Sequence, residues 1–449
     1  MAQRSGLRRL AVAALLCVAT ASCRSHDVTG TNEDRSWTIT TELSSSFDIS
    51  SSVVGEIAIE KSSGSVLGAV YLRGALSIGD RSLKLEATSA QDTASALFSI
   101  SVDGSPAWLR GGWYPAESVG TVISGANESY LVHSEALTAS EGAFIVRSVG
   151  ATGADRWRVR FPVTGDPHAA SFAHLAATDD GGAIVTLRAP AGTDIGTGPL
   201  AQAVSQCDSV LARVNADGGV IAAWRLPAAS AGSTRTVGRV AFIPPDHAAV
   251  EVDDVPSGAS PPKNSASLAF VSLRDGSVEW TVNVSGAEDL ASVQAITPRS
   301  TGQIIATVVG GASKSTFALR AVSSAGVADN ELPLFTLPGR HYAVASDPTG
   351  GVVIAGAFDS SFSVGSTVLS PVGGTDAVAL RFGFDGGLRG YVQVGTNLRD
   401  EISAVAVDDL GNLVMAGTQI DAASLPGDMS IVPGVVFVSR VRVDEQARP

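Results

Sequence analysis

The feature that most constrains this fold is a strand-turn-strand pattern that recurs along most of the chain. Its clearest copy places a strand at residues 402–407, a turn at 408–412 and a second strand at 413–418. The Asp, Gly and Asn residues of such turns supply side-chain hydrogen bonds and positive φ angles that a tight reversal needs. Apolar residues alternate with polar ones, and turn residues follow every eight to twelve positions, so the pattern predicts an all-β chain.

Seven copies of this unit follow one another. The start of the second strand marks the position of each copy. Those strands are predicted to begin near Val66, Tyr130, Ile184, Ala248, Ile304, Val352 and Leu413. A tryptophan returns behind a later turn in four of the units, at Trp108, Trp157, Trp224 and Trp280. A large ring at a regular repeat position predicts a structural bridge between neighbouring units, with the indole N–H bonded to a nearby carbonyl.

The two ends of the chain complement each other. The seventh unit stops after its third strand, predicted at residues 435–443, while residues 36–40 form an extra strand that includes Trp37. If this N-terminal strand completes the last sheet, the ring closes, and neither the first nor the last unit is left with an exposed side. The sequence therefore predicts a seven-bladed β-propeller of four-stranded antiparallel blades over residues 36–449, closed by an N-terminal strand.

The repeat resembles the bacterial β-propeller repeat (SBBP-like) family of lipoproteins. Its best matches are GGTDAVALRF at residues 373–382 and DEISAVAVDDLGNLVMAG at residues 400–417. The resemblance implies the propeller fold and a surface location, and it implies no reaction. A second pattern, Gly276 followed by Trp280, is similar to the blades of quinoprotein-like propellers, which include non-enzymatic outer-membrane assembly lipoproteins.

The N-terminus has the features of an export signal. Three arginines precede an apolar run at residues 10–21, which is shorter than the roughly 20 residues of a membrane-spanning helix, so residues 1–22 are predicted to be a signal peptide. The small residues before Cys23 resemble a lipobox, which implies an acylated Cys23. Residues 23–35 are polar and predict a tether. The predicted location is the cell envelope, at the outer membrane or cell surface, with attachment to the membrane through the lipid.

Charge and motifs narrow the function further. With 31 basic and 44 acidic side chains the chain has a net charge of −13, which disfavours a nucleic-acid partner. No zinc-protease, paired-cysteine, nucleophile-elbow or phosphate-loop motif occurs in the sequence, so no cofactor, metal or catalytic residue is assigned. The densest acidic cluster, residues 251–254, is interpreted as a solvated strand end.

Candidate ligand-binding residues lie where loops lead into the innermost strands, because propellers bind ligands at a channel mouth. These candidates are Glu117, His168, Asp289, Arg340, His341, Asp400 and Glu401, together with the loop aromatic Trp113. His174, within a strand, is assigned a structural role.

The sequence thus predicts a monomeric, lipid-anchored binding platform for a protein or a glycan, without catalysis. Two alternatives stay open. One is a hydrolase or lyase that acts on a polysaccharide at the channel mouth. The other is an assembly factor for outer-membrane proteins.

Overall fold

The described part of the chain is all-β. The computed structural model describes residues 37–42, 53–60, 63–72, 74–78, 81–85, 94–111, 118–124, 129–137, 142–163, 174–190, 193–198, 207–227, 233–256, 266–285, 290–299, 302–310, 316–329, 334–338, 340–348, 351–396, 399–420 and 434–442. Within these ranges there are 33 strands and no helix, which confirms the predicted class. Accordingly, no helix of the described residues is long and apolar enough to cross a membrane.

The described strands form seven larger sheets, which we number in chain order. The first strand, β1 (Trp37–Glu42), precedes sheet 1 in the chain and belongs to sheet 7. Sheet 1 contains β2 (Val53–Ile59), β3 (Val66–Leu72), β6 (Ala94–Ile100) and β7 (Pro106–Gly111), with a hairpin of β4 (Gly74–Ile78) and β5 (Arg81–Leu85) inserted after β3. Sheet 2 contains β8 (Ser118–Ser124), β9 (Ser129–Leu137), β10 (Gly142–Gly150) and β11 (Asp155–Val163).

Sheets 3 and 4 follow as simple meanders. Sheet 3 contains β12 (His174–Ala177), β13 (Ala183–Pro190), β14 (Cys207–Val214) and β15 (Val220–Arg225). Sheet 4 contains β16 (Ser233–Ile243), β17 (His247–Pro256), β18 (Ser267–Ser272) and β19 (Val278–Asn283).

Sheets 5 and 6 depart from the simple meander. Sheet 5 contains β20 (Leu290–Pro298), β21 (Ile304–Gly310) and β22 (Thr316–Val322), and its fourth strand is split into β23 (Ala328–Asp329) and β24 (Leu334–Thr336). Sheet 6 contains β25 (Arg340–Asp347), β26 (Gly351–Phe358), β29 (Asp376–Phe382) and β30 (Leu388–Val394), with a hairpin of β27 (Phe362–Val364) and β28 (Thr367–Leu369).

Sheet 7 combines the two ends of the described chain. It contains β31 (Arg399–Val407), β32 (Asn412–Ile420), β33 (Gly434–Arg442) and, at its edge, β1. The strand β1 pairs antiparallel with β33, so that Trp37 lies opposite Arg440 and Glu42 opposite Val435. The N-terminal strand therefore occupies the place of a fourth strand in this sheet, as its sequence position predicted.

The core of the fold lies between neighbouring sheets. Strands β21 and β26 are buried at every position, which accords with their runs of Val, Ile and Ala. The first strand of each sheet packs against a neighbouring sheet in chain order, and β2 of sheet 1 also packs against β31 of sheet 7. Burial of apolar side chains between sheets stabilises the fold at roughly 25 cal/mol per Å².

The four repeat tryptophans bridge neighbouring sheets, which confirms the structural role predicted for them. Each lies on a fourth strand and contacts a turn glycine of the following sheet, in the pairs Trp108 with Gly153, Trp157 with Gly218, Trp224 with Gly276, and Trp280 with Gly326. The indole N–H of Trp108 donates to the Ala151 carbonyl at 2.8 Å, and that of Trp280 donates to Ser324 at 3.0 Å.

Candidate ligand-binding cavity

The described strands enclose a cavity of about 920 Å³, here called the inner cavity. The first strand of every one of the seven sheets contributes to its lining. One lining residue from each sheet, in order, is Ile57, Ile123, Leu175, Val240, Ile296, Val344 and Val405. Its volume falls within the roughly 300–1,000 Å³ of small-molecule sites.

The inner cavity extends toward the turns that connect first and second strands. Ser346, Asp347 and Pro348 at the end of β25 line it, as do Asp408 and Leu410 in the turn after β31. These residues lie at the opposite end of the first strands from the loops that lead into those strands. The candidate residues were predicted at the loops that lead into the first strands. The described lining of the cavity extends instead toward the turns that follow those strands.

Two aspartates of the lining are held by arginines from the third strands of their own sheets. Asp347 is 1% exposed and accepts a hydrogen bond from Arg381 Nε at 2.6 Å. Asp408 is likewise buried, pairs with Arg440, and accepts from the backbone N–H of Asn412 at 2.7 Å. Because their oxygens are engaged in these bonds, both carboxylates stabilise turns at the cavity rim.

A histidine and an arginine from neighbouring sheets line the same cavity. His174 begins β12, and Arg239 lies in β16, which packs against β12. Burial and, to a smaller extent, the positive charge of Arg239 lower the pKa of His174 to about 4. The imidazole is therefore neutral at pH 7.

Arg239, in the lining of this cavity, interacts electrostatically with the buried carboxylate of Glu251. Among the described residues no hydrogen bond or ion pair involves its guanidinium, although the backbone N–H of Arg239 donates to Glu251 at 3.1 Å. The side chain is half-buried.

Glu251 contradicts the interpretation of residues 251–254 as a solvated strand end. Its side chain is buried, and its carboxylate accepts from the backbone N–H groups of Val293 at 2.7 Å and Arg239 at 3.1 Å. Both donors lie beside β-bulges in first strands, which leave N–H groups without ladder partners. Burial raises the pKa of Glu251, against these two hydrogen bonds. Asp254 is also paired, with Arg235 at 2.8 Å.

Four of the predicted ligand-binding residues lie at the starts of first strands in neighbouring sheets. Arg340 and His341 begin β25, and Asp400 and Glu401 lie near the start of β31, which packs against β25. Glu401 pairs with Arg399 at 3.5 Å. The remaining predicted residues, Cys23, Trp113, Glu117, His168 and Asp289, lie outside the described residues.

Asp400 has a local structural partner. It is fully buried and accepts hydrogen bonds from the backbone N–H of Thr396 at 2.7 Å and from its hydroxyl at 2.8 Å. Burial raises the pKa of Asp400, and the carboxylate of Asp376 raises it further. Asp400 and Glu401 do not line the inner cavity, so their role in ligand binding stays a prediction.

His174 and Arg239 were not predicted to be cavity residues. The repeat pattern puts both residues in first strands, and this is the only feature of the sequence that indicates a position in the cavity. Among the described residues no group of three or more His, Cys, Asp or Glu side chains is arranged to hold a metal ion.

Comparison with known proteins gives likeness of fold alone. No protein-family model and no curated protein matches the sequence. The chain is similar to polysaccharide lyase Uly1, with 9% identity over 87% of this chain and 90% of that one and a TM-score of 0.47. It is also similar to the β-propeller domain of the Trilobed protease from Pyrococcus furiosus, with 8% identity over 88% and 97% and a TM-score of 0.45. A protein of unknown function from Dyadobacter fermentans has 9% identity over 90% and 98% and a TM-score of 0.41.

Proposed function

We propose that the chain is a closed seven-bladed β-propeller that acts as a binding platform for a protein or a glycan at the cell envelope, without catalysis. The observation that carries this proposal is one inner cavity lined by the first strands of all seven sheets. Its buried aspartates Asp347 and Asp408 serve structure, and the other polar side chains of the lining, such as Gln294, are offered to a ligand. Concave sites with a few convergent polar groups are typical of ligand binding.

Closure of the ring is supported by contacts between the last and first sheets. The strand β2 of sheet 1 packs against β31 of sheet 7, and Arg440 of sheet 7 donates to the Val102 carbonyl after β6 of sheet 1 at 3.3 Å. The same arginine pairs with Asp408, and both side chains are almost fully buried. A buried arginine that bridges sheets 7 and 1 favours seven units in one ring.

Export and anchoring come from the sequence alone. The predicted signal peptide, the lipobox-like segment before Cys23 and the polar residues 23–35 support a location of the cavity outside the cell, attached to the membrane through the lipid. That attachment would keep the propeller close to partners at the membrane surface. A monomer suffices, because the ring itself supplies the whole cavity.

A polysaccharide hydrolase or lyase is the second candidate, and His174 is the observation that favours it. A neutral imidazole in the cavity can accept a proton. Against it, a histidine with a pKa of about 4 is a weak base at neutral pH. An enzyme would release new reducing ends from an envelope polysaccharide, whereas a platform would retain the polysaccharide intact.

The proposal is tested by capture from solubilised envelope fractions with the cavity filled or left open. Gln294, which is half-buried in the cavity lining, is replaced by Trp. The control places the same residue on the surface, by Val368→Trp at a position that is 66% exposed in β28.

We expect the wild type and Val368→Trp to retain the same envelope protein or glycan, and Gln294→Trp to lose it while its thermal unfolding remains cooperative. Equal retention by all three chains would contradict a role for the inner cavity. If both variants fail to retain the envelope component, the binding site lies elsewhere on the chain or the substitutions have destabilised the fold.

A further inference from the structure

We propose that the turns beside the mouth of the inner cavity form a docking surface for a protein segment that carries both basic and apolar side chains. This inference rests on the proposed function, and it selects a protein over a glycan as the partner. The surface consists of four exposed side chains, here called the turn patch, which are Pro348, Phe384, Asp409 and Leu410. They lie in turns of sheets 6 and 7. Because successive strands are antiparallel, the turns after first strands and after third strands lie at the same end of a sheet.

The apolar members of the turn patch are grouped around Arg381. Its Nε donates to the carboxylate of the residue before Pro348 at 2.6 Å, and its Nη1 donates to the carbonyl of the residue after Leu410 at 3.4 Å. Phe384 follows Arg381 by three residues in the same sheet. Leu410 is 61% exposed and Phe384 is 45% exposed. Exposed apolar side chains that lie together are typical of interaction sites, whereas single ones are not. Pro348 and Leu410 also line the inner cavity, so a partner on the turn patch covers the mouth of that cavity.

The charges around the mouth favour a basic partner. Exposed acids without an ion pair among the described residues lie in turns at this end of sheets 3, 4 and 7, and they are Asp179, Asp217, Asp275 and Asp409. Arginines at the same end are paired with other aspartates, in the pairs Arg213 with Asp180, Arg274 with Asp246, Arg381 with Asp347, Arg389 with Asp385, and Arg440 with Asp408. Arg299, in the turn after β20, lies over the ring of Phe384 at 4.3 Å. The remaining carboxylates attract lysine and arginine side chains of a partner.

The lining of the inner cavity has the same sign of charge. It contains five carboxylates against two arginines, which are Glu56, Glu60, Asp347, Asp408 and Asp409 against Arg239 and Arg440. Each of these arginines is matched by a carboxylate, since Arg440 pairs with Asp408 and Arg239 interacts electrostatically with the buried Glu251. A lysine or arginine side chain of a docked segment is therefore favoured at the mouth over an acidic one.

The combination of features disfavours other partners. Carboxylates repel acidic glycans and anionic lipid headgroups, and a neutral glycan makes no use of the negative charge. A protein segment with alternating apolar and basic side chains can cover the turn patch and place positive charge at the cavity mouth at the same time.

The test is a titration of fluorescently labelled octapeptides with the full chain, followed by anisotropy. The probes are alternating Leu-Lys, Ser-Lys and Leu-Glu peptides, which separate the apolar from the basic contribution. We expect the Leu-Lys peptide to bind at least about 10-fold more tightly than either of the others. Its affinity should fall as the NaCl concentration is raised from about 0.05 M to about 0.5 M, because salt screens exposed charges. Equal binding of the three peptides would overturn the proposal.

Two matched double variants locate the peptide on the chain. Asp409→Asn with Leu410→Ser removes one acid and one apolar side chain from the turn patch. Asp359→Asn with Val368→Ser removes the same pair of side chains from exposed positions at the other end of sheet 6. We expect the first to weaken binding of the Leu-Lys peptide by about 10-fold or more and the second to leave it unchanged. Both should unfold thermally as the wild type does, because all four positions are exposed. Equal effects of the two double variants would contradict docking at the turn patch.

Failure of this docking surface is distinguishable from failure of the platform. If Gln294→Trp abolishes capture of an envelope component but the Leu-Lys peptide does not bind, the inner cavity is a binding site and the docking inference is wrong. If the peptide binds at the turn patch but capture is insensitive to Gln294→Trp, the docking surface stands and the role of the inner cavity fails. Phosphatidylcholine vesicles that bind the wild type, but not the variant at Asp409 and Leu410, would assign the turn patch to a membrane surface if the peptide does not bind, and would contradict the proposal.

Discussion

The contact of Trp280 with Gly326 offers a quantitative test of how neighbouring sheets are joined. Gly326 has a φ of +76° in a turn of sheet 5, and a Cβ at this position would lie 2.7 Å from Cγ of Trp280 in sheet 4. The Cγ atom lies next to the main chain of Trp280, so it cannot move aside as the end of a flexible side chain would. Gly326→Ala should therefore disturb the junction of two sheets.

The magnitude follows from two contributions. A positive φ costs a residue with a Cβ about 1–2 kcal/mol, and forcing extra volume into a packed site costs about 1–3 kcal/mol. Gly302 allows the backbone contribution to be measured alone, because it has a φ of +79° in the same sheet and a Cβ added there would meet open space. Its N–H bonds to the carbonyl three residues earlier at 3.0 Å, as that of Gly326 does. Gly302→Ala therefore carries the backbone cost alone.

The assay is equilibrium urea unfolding of the full chain with each substitution. We expect Gly326→Ala to be less stable than Gly302→Ala by about 1–3 kcal/mol. In a Trp280→Ala background the difference should vanish, since the steric conflict is then removed. Equal destabilisation of the two single variants would refute the claim that this tryptophan joins sheets 4 and 5 by close packing.

Three further predictions concern buried polar groups. Arg440→Ala should destabilise the fold by about 3–5 kcal/mol, because it leaves Asp408 buried without its partner. Glu251→Ala should cost about 2 kcal/mol or more in urea unfolding, since two backbone donors lose their acceptor. His174 should make the free energy of unfolding fall by about 3 kcal/mol as the pH is lowered from 6.5 to 4, because its folded pKa is about 4 and the unfolded chain binds the proton first.

Each of these has its own control. Arg389→Ala breaks an exposed ion pair and should change stability by no more than about 1 kcal/mol; a similar loss from Arg440→Ala would contradict the burial argument. Glu251→Gln keeps one carbonyl acceptor and should recover part of the loss seen with Ala. His174→Gln should flatten the pH profile between 4 and 6.5, and an unchanged slope would assign the effect to another group.

The positions of the strands were predictable because their signals are local. The predicted starts of the second strands at Val66 and Ile304 coincide with β3 and β21, and that at Leu413 falls one residue after the start of β32. Alternation of apolar residues and the chemistry of turn residues act within a few positions. The early end of the last unit also pointed correctly to the pairing of residues 37–42 with β33.

The inserted hairpin of β27 and β28 was not predicted, and its size explains why. Each of these strands has three residues, which is too few for alternation to be distinguished from a loop. The hairpin is recognisable only once its pairing is known.

The cavity residues were harder to predict, and β-bulges are the physical cause. The register of β16 against β17 shifts between Val237 and Val240, immediately around Arg239. One extra residue reverses which side chains face inward, so alternation counted from the start of the strand fails at this point. Glu251 was misjudged for a related reason, since its partners Val293 and Arg239 belong to bulges in two different sheets.

The central claim is that the N-terminal strand completes the last sheet of the ring, and a designed disulfide tests it directly. Thr38 and Ser439 lie opposite each other in the pairing of β1 with β33, where Cα atoms are about 4.5–5.5 Å apart, within the range of a disulfide. The control joins Thr38 to Ser403 in β31, three strands away in the same sheet, which is too far to be bridged.

Both cysteine pairs are made in a Cys207→Ser background, and the linked peptides are identified by mass spectrometry after mild oxidation of the folded chain. The closed ring predicts an intramolecular link between positions 38 and 439 and none between 38 and 403. Absence of the 38–439 link, or a link that forms only between two molecules, would contradict it.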